Sequence, residues 1–393
     1  MLATHAVMFK FDFLKNDFYK NKKVLITGHT GFKGTWLCRI LLNLGANVTG
    51  YSLQPPTQPN LFLLADVESK MNSVIGDVRD FQHLQNAFAE AQPEIVFHLA
   101  AQPIVRESYK DPRYTYETNV MGTVNLLECV RQCSSVKSVL NVTTDKVYLN
   151  KERAEGYREE EPLDGFDPYS NSKSCSELVT HCYKNSFFTA NTNLNNQAAN
   201  LGSNNARQVA ISTARAGNVI GGGDFAQDRI IPDCVRAMEA GKVIEVRNPH
   251  SVRPYQHVLE PLAVYLMIAE KQYEDVCYSG YYNVGPEDCD CITTGELADF
   301  FCRYWNLDNG HNNQVEANKL FKATWESKVE QNALHEANFL KLDCSLLKKT
   351  FGWQPRWHIE DAVQKTCEFS KVWLQGEKIP AEMDKEIEEF FVQ

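Results

Sequence analysis

A cluster of glycines between a short apolar run and an amphipathic one sets the tightest limit on what this 393-residue chain can fold into. Lys22-Lys23-Val24-Leu25-Ile26 reads as a buried strand, Thr27-Gly28-His29-Thr30-Gly31-Phe32-Lys33-Gly34 follows at once, and Thr35–Leu44 carries apolar residues at helical spacing. In that setting Gly28 permits a tight turn, Gly31 lets the backbone approach a pyrophosphate, and Gly34 lets helix and strand pack closely. The start of the helix offers unpaired N–H groups to the anion, so a dinucleotide site is expected here.

Strands and helices then alternate. Strands are expected at Asn47–Tyr51, Ser73–Gly76, Glu94–Leu99, Ser138–Val142 and Val209–Arg215, with helices at Phe81–Ala91, Tyr114–Arg131 and Pro168–Tyr183. This order predicts an α/β fold, a Rossmann-type doubly wound parallel sheet. Ligands of such sheets bind at the carboxyl ends of the strands, where Gly28, Asp77, Ala100, Thr144 and Gly217 fall. Residues 1–216 are assigned to this dinucleotide-binding domain. Thr189–Arg207, rich in Asn, Gln, Ala and Gly, reads as a mobile surface insertion. Beyond Gly221-Gly222-Gly223-Asp224, residues 217–393 are expected to form mainly a smaller α/β substrate-binding domain, with some segments returning to the first. Its expected parts are helix Arg229–Ala240, strand Val243–Arg247 and helices Leu259–Lys271 and Ile359–Leu374, before an acidic, solvated tail helix after Lys378.

Composition excludes several function classes. No apolar run approaches the ~20 residues that cross a bilayer, and the first twenty residues lack a signal-type apolar core, which predicts a cytoplasmic protein without membrane contact. A formal net charge of −10 argues against nucleic acid as a partner. The 12 cysteines show no framework spacing and read as reduced thiols. Cys289 and Cys291 are the one close pair, with no further ligand at suitable sequence spacing, so no metal is expected.

Tyr169 and Lys173 lie one turn apart on one face of a helix. A tyrosine is a weak base at neutral pH because its ordinary pKa is about 10. A lysine ammonium beside it favours phenolate, and the pair can then take a proton from a hydroxyl while the adjacent carbon gives up hydride. His257, with no identifiable partner, reads as a packing residue. The second strand ends Gly50-Tyr51-Ser52-Leu53, without the acid that commonly holds the NAD ribose and without an Arg for a 2′-phosphate, although Lys33 could partly serve the latter.

Taken in order, Thr27 to Gly34, Asp77, His98 to Ala101, Asn119 to Thr123, Thr144 and the Tyr169/Lys173 pair resemble the extended short-chain dehydrogenase/reductases that act on nucleotide sugars. Within that family, His29 to Gly34, Ala101 to Pro103, Thr144 to Lys146, Arg215 to Asp224, Asp228 to Pro232, Arg253 to Pro261 and Leu340 to Cys344 are similar to the 4,6-dehydratases of the CDP-glucose type. The resemblance implies a lyase using NAD, with Thr144, Asp145, Lys146, Tyr169 and Lys173 as catalytic residues. It implies cofactor contacts from Thr27, Gly28, Thr30, Gly31, Phe32, Lys33, Gly34, Asp77, Val78, Ala100, Ala101, Gln102, Asn119, Thr143, Tyr169 and Lys173, with Asn119 helping to hold the lysine through water. Asn218, Arg229 and Arg253 are implied to meet the substrate, CDP-glucose or a related nucleotide sugar. C4 oxidation acidifies C5, and Asp145 and Lys146 would then share the roles of base at C5 and acid at the C6 hydroxyl, in either order. Pairing into a homodimer through the helices of Asn119 and Tyr169, and a place in surface-polysaccharide biosynthesis, are further implications. Another nucleotide-sugar 4,6-dehydratase or a 4-epimerase is the alternative. A catalytically silent dinucleotide-binding regulator would be expected to have lost the Tyr/Lys pair.

Overall fold

The structure is a computed structural model, and it describes residues 14–15, 17–188, 208–307, 321–328 and 339–391. The Asn/Gln-rich insertion at 189–207 lies outside the described residues. Strands β1 (Lys23–Thr27), β2 (Asn47–Ser52), β3 (Asn72–Ile75), β4 (Ile95–His98), β5 (Ser138–Thr144), β6 (Ala210–Ala216), β7 (Asn218–Ile220), β8 (Ile244–Val246), β9 (Val252–His257), β10 (Tyr281–Val284), β11 (Cys291–Thr293) and β12 (Trp325–Ser327) make three sheets. The largest has the order β10-β6-β5-β4-β1-β2-β3, and every neighbouring pair in it is parallel. The order reverses between β1 and β4, the switch point at which such sheets bind ligands.

The helices that bear on the site or the core are α1 (Phe32–Asn43), α2 (Phe81–Ala91), α3 (Gly122–Gln132), α4 (Pro168–Tyr183), α5 (Ile230–Glu239), α6 (Leu259–Glu274), α7 (Ile359–Leu374) and α8 (Ile379–Phe391). Side chains of β1 alternate between two apolar layers: Val24 and Ile26 enter one with Trp36 and Leu262, Leu25 the other with Leu84, Phe88 and Leu126. A parallel strand covered on both faces needs this unbroken apolar sequence. The expected single helix Tyr114–Arg131 instead runs through a short helix, Pro112–Tyr116, and a π-turn, Glu117–Met121, before α3. Such turns recur at functional sites, and Asn119 lies within this one.

The second sheet, β11-β9-β7, and the β12-β8 pair are covered by a separate cluster that includes Ile231, Met238, Tyr255, Phe301, Trp305 and Val363. Two later segments join the first sheet. Strand β10 pairs with β6, and α6 packs on β5 and β6. The sequence grouping had put Leu259–Lys271 with the second unit. Leu259 to Ala269 are all buried, and a helix apolar all round belongs inside a core. The tail helix also departs from expectation. In α8, Ile379, Met383, Ile387 and Phe390 form a buried stripe that also takes in Glu382 and Glu386, and Asp384 pairs with Arg39 of α1. Among the described residues no helix is long and apolar enough to cross a membrane.

Candidate active site

The glycine turn closes as its sequence requires. Gly28 has φ +80°, and a Cβ on it would lie 2.8 Å from the Ala100 nitrogen. At Gly34 a Cβ would stand 2.1 Å from the Gly28 carbonyl oxygen, so only glycine lets α1 start this close to β1. Gly31 is the N-cap of α1 and no side chain caps the helix. Its first N–H groups are thus available to a phosphate, and these residues fit a dinucleotide.

Around the turn, the Thr27 hydroxyl bonds His98 Nδ1 at 2.7 Å and accepts from the Ala100 N–H. Thr30 donates to the Leu53 carbonyl at 2.8 Å and meets the Ser52 hydroxyl at 2.9 Å, occupying the end of β2 where an acid is absent. Asp77 is gripped by the Arg79 guanidinium and backbone; burial pushes its carboxyl up, but these bonds outweigh it and hold it below the usual range. Val78 is buried, and its carbonyl accepts from Asn125. Ala100 and Ala101 are half-buried, while the Gln102 side chain is spent on Thr115 and the Ile104 N–H.

Asn119 closes a reciprocal pair with the Gln102 backbone and donates to Ser172 at 2.9 Å. It therefore braces α4 beside Lys173. The Lys173 ammonium itself donates to the Val142 carbonyl at 3.0 Å.

Lys33 sits elsewhere than the 2′-phosphate role requires. Its charged neighbours are Arg229, Lys173, Asp145 and Asp224, on the Tyr169 side of the turn. Burial first, and then the two cations, bring its ammonium down to about 7. Phe32 approaches Gly221 in the same region.

At the end of β5 the Thr143 hydroxyl donates to Glu177 at 2.5 Å, and the Thr144 hydroxyl donates to Asp145 at 2.9 Å. The Lys146 ammonium bonds the same Asp145 oxygen at 3.2 Å. The Asp145 side chain is 1% exposed and that of Lys146 27%, so the pair joins a buried carboxylate to a half-buried ammonium. Its second oxygen, Oδ2, faces Gly217, where a Cβ would lie 3.3 Å away. Burial pushes the Tyr169 phenol up to about 12, opposed by hydrogen bonding to Thr144. Burial also lowers Lys173 to about 8. The expected phenolate-favouring effect of the lysine is thus outweighed, in the protein alone, by desolvation of both groups.

Arg229, at the N-cap of α5, lies near Tyr169 and Lys33 and is ion-paired to Asp224 at 2.9 Å. Arg253 is buried in β9, donating to the Val252 carbonyl. Asn218 stands on the neighbouring β7, opposite Tyr255. Gly217, in contact range of both Asp145 and Pro254, joins this small sheet to the end of β5. His257 is fully buried between Trp36 and Trp357, 3.6 Å from Glu386, and burial lowers its imidazole to about 3, as befits a packing residue.

Sequence reasoning missed Glu177. One carboxylate oxygen accepts from Thr143, the other from Thr213 and from Arg215 at 2.9 Å, all buried. The spacing Tyr169, Lys173, Glu177 puts all three on one face of α4, a signal present in the sequence.

A groove lined by Lys23, Asn47, Lys70, Asn72 and Glu90 opens at the opposite, amino end of the strands and contains none of these residues.

Comparison with known proteins places the arrangement. The chain is 44% identical over 378 residues to CDP-glucose 4,6-dehydratase of Salmonella typhimurium, covering 96% of this chain and 98% of that one. Its fold is similar to UDP-glucose 4-epimerase of Thermotoga maritima solved with UDP-glucose (TM-score 0.69, 19% identity, 89% of this chain and 99% of that one). It is also similar to dTDP-glucose 4,6-dehydratase of Bacillus anthracis solved with NAD (TM-score 0.67, 19% identity, 90% and 98%). The GDP-mannose 4,6 dehydratase family model matches residues 25–366, and the chain belongs to that family.

Proposed function

We propose that this protein is an NAD-dependent lyase that converts CDP-glucose to CDP-4-keto-6-deoxyglucose and water. One observation carries the reading: Thr144, Asp145 and Lys146 form a hydrogen-bonded group at the end of β5 beside Tyr169 and Lys173. Oxidation alone needs only Thr144, Tyr169 and Lys173. The additional pair of a buried acid and a half-buried ammonium supplies what elimination needs and a 4-epimerase does not. The choice of CDP-glucose rests on the 44% identity to the Salmonella enzyme.

Bound NAD would supply a hydride acceptor at C4 and return the hydride to C6. The chain's own residues do the remaining work. The Gly28–Gly34 turn and the open start of α1 hold the pyrophosphate, with backbone and side chains of Thr27, Thr30, Asp77, Val78, Ala100, Ala101, Gln102, Asn119 and Thr143 around the rest. Tyr169 takes the C4 hydroxyl proton, with Thr144 holding that hydroxyl and Lys173 stabilising the phenolate. Asp145 and Lys146 divide the proton transfers at C5 and the C6 hydroxyl. Asn218, Arg229 and Arg253 receive the substrate pyrophosphate, Arg being suited to bidentate phosphate contacts. Exposed Tyr116, Met121 and Leu178, on the helical segments that carry Asn119 and Tyr169, support a homodimer through that face.

Incubation with CDP-, dTDP-, UDP- and GDP-glucose in the presence of NAD tests the reading. A 4-keto-6-deoxy product from the CDP-sugar is expected. Interconversion of glucose and galactose nucleotides without water loss would replace it with epimerisation.

A further inference from the structure

Cys289, Asp290 and His358 meet on the substrate-side unit, away from the dinucleotide site. In sequence His358 is far from the other two, which is why the spacing of Cys289 and Cys291 gave no metal site. In the fold, His358 Nδ1 is 3.8 Å from Cys289 Sγ and 3.0 Å from Asp290 Oδ2, and the three ligand atoms lie within 4.8 Å of one another. Tetrahedral zinc with bonds of ~2.0–2.3 Å sets such atoms roughly 3.3–3.8 Å apart, so small side-chain adjustments suffice. One imidazole nitrogen is aimed at both a sulfur and a carboxylate oxygen, the place a cation would take between them.

We propose that these three side chains form a divalent-metal site of the zinc class, with water in the fourth position. The donor set is right in kind: sulfur, imidazole nitrogen and carboxylate oxygen are the ligands zinc takes. A thiolate and a carboxylate together neutralise the ion. Asp290 is already fixed, being 2% exposed and accepting the Ile359 N–H through its other oxygen at 2.9 Å, the outer contact that orients a ligand. Cys289 and His358 are exposed, leaving an entry path. Binding releases the thiol proton to solvent and frees Nδ1 as a donor, its proton passing to Nε2 in the neutral ring or to solvent from imidazolium.

The metal would act as a clip. β11 begins at the residue after Asp290 and pairs with β9, while α7 begins at the residue after His358 and also packs on β9. Joining the two braces both neighbours of the strand that carries Arg253.

Chelator-treated full-length protein titrated with Co²⁺ should show a thiolate charge-transfer band and tetrahedral d–d bands saturating at one equivalent. Zn²⁺ should displace Co²⁺ and raise the thermal midpoint. Cys289→Ser and His358→Gln should each weaken binding by more than the roughly 10–100-fold that loss of an outer partner costs. Cys291→Ser should keep the site, and turnover in metal-free buffer should match wild type in all three variants. Cys289→Ser is an exposed substitution and remains decisive if His358→Gln disturbs the start of α7. Absence of a thiolate band, or a band unchanged in Cys289→Ser, would overturn the proposal.

Discussion

A phenol at about 12 and a lysine at about 8, one helical turn apart, are both drawn toward their neutral forms by burial. A cationic nicotinamide nearby would move the phenol back toward phenolate, and the phenolate in turn would hold Lys173 as ammonium. Tyr169→Phe should therefore bind cofactor and nucleotide sugar normally yet lose turnover by about 10²–10⁴-fold, the usual range for an acid–base group. Near-normal turnover would remove Tyr169 from the mechanism. Lys146 should fail differently. With Thr144, Tyr169 and Lys173 intact, Lys146→Ala should still oxidise C4, so nicotinamide absorbance rises and persists while isotope fails to move from C4 to C6. Exchange of the C5 hydrogen with solvent in this trapped state would make Lys146 the acid; no exchange would make it the base. Dehydration at the normal rate would exclude it from both roles.

At the scale of elements, α4 and the ends of β5 and β6 act as one polar unit. Glu177 holds Thr143, Thr213 and Arg215 together, and Arg215 continues to Tyr148, which donates to Asn283 of β10. Glu177→Ala would leave the buried Arg215 guanidinium without its carboxylate partner, held only by Tyr148 and the Glu159 carbonyl, at a cost of about 3–5 kcal/mol measured by denaturant unfolding. A loss below 1 kcal/mol would show the network to be dispensable. The strand and helix periods, the glycine turn and the Tyr/Lys pair were legible in the sequence because each is set by neighbours within a few residues. Glu177 was not read, although its spacing was visible, because its partners come from two other strands, β5 and β6. The orientation of Lys33 was hidden for the same reason: Arg229 and Asp224 reach it only through the second unit. Glu260, at the start of α6, likewise accepts the N–H groups of Arg356 and Trp357, nearly a hundred residues away. Burial is the larger effect and raises its carboxyl from 4.5 to about 7. The folded state then binds more protons than the unfolded one between those values, so this contribution is complete below about 4.5 and lost as pH climbs through about 7. Relative to Glu260→Gln, wild type should lose thermal stability across that window and run parallel to it above; a constant difference would place the proton elsewhere.

Across the whole molecule, the two units are joined by the helix whose composition was most misleading. The acidic residues of α8 hid its apolar stripe, and only packing shows what the stripe covers. Phe390 meets Trp357 edge-on at 5.0 Å, Trp357 meets His257 at the end of β9, and His257 meets Trp36 of α1. Asp384 meanwhile bonds Arg39 and Asn43 of α1. The helix therefore ties the first helix of the dinucleotide unit to the strand that carries Arg253, without touching the candidate site itself. Phe390→Ala should cost about 3–5 kcal/mol, as truncation of a fully buried aromatic does. Asp384→Ala should cost less, because its carboxylate is about one-third exposed and water can partly replace it for Arg39. Below its lowered unfolding midpoint, Phe390→Ala should keep the wild-type kcat, since no residue proposed to act on the sugar contacts it. A fall in kcat with stability unchanged would mean that α8 sets the geometry between the units, and would give the C-terminal helix a part in catalysis.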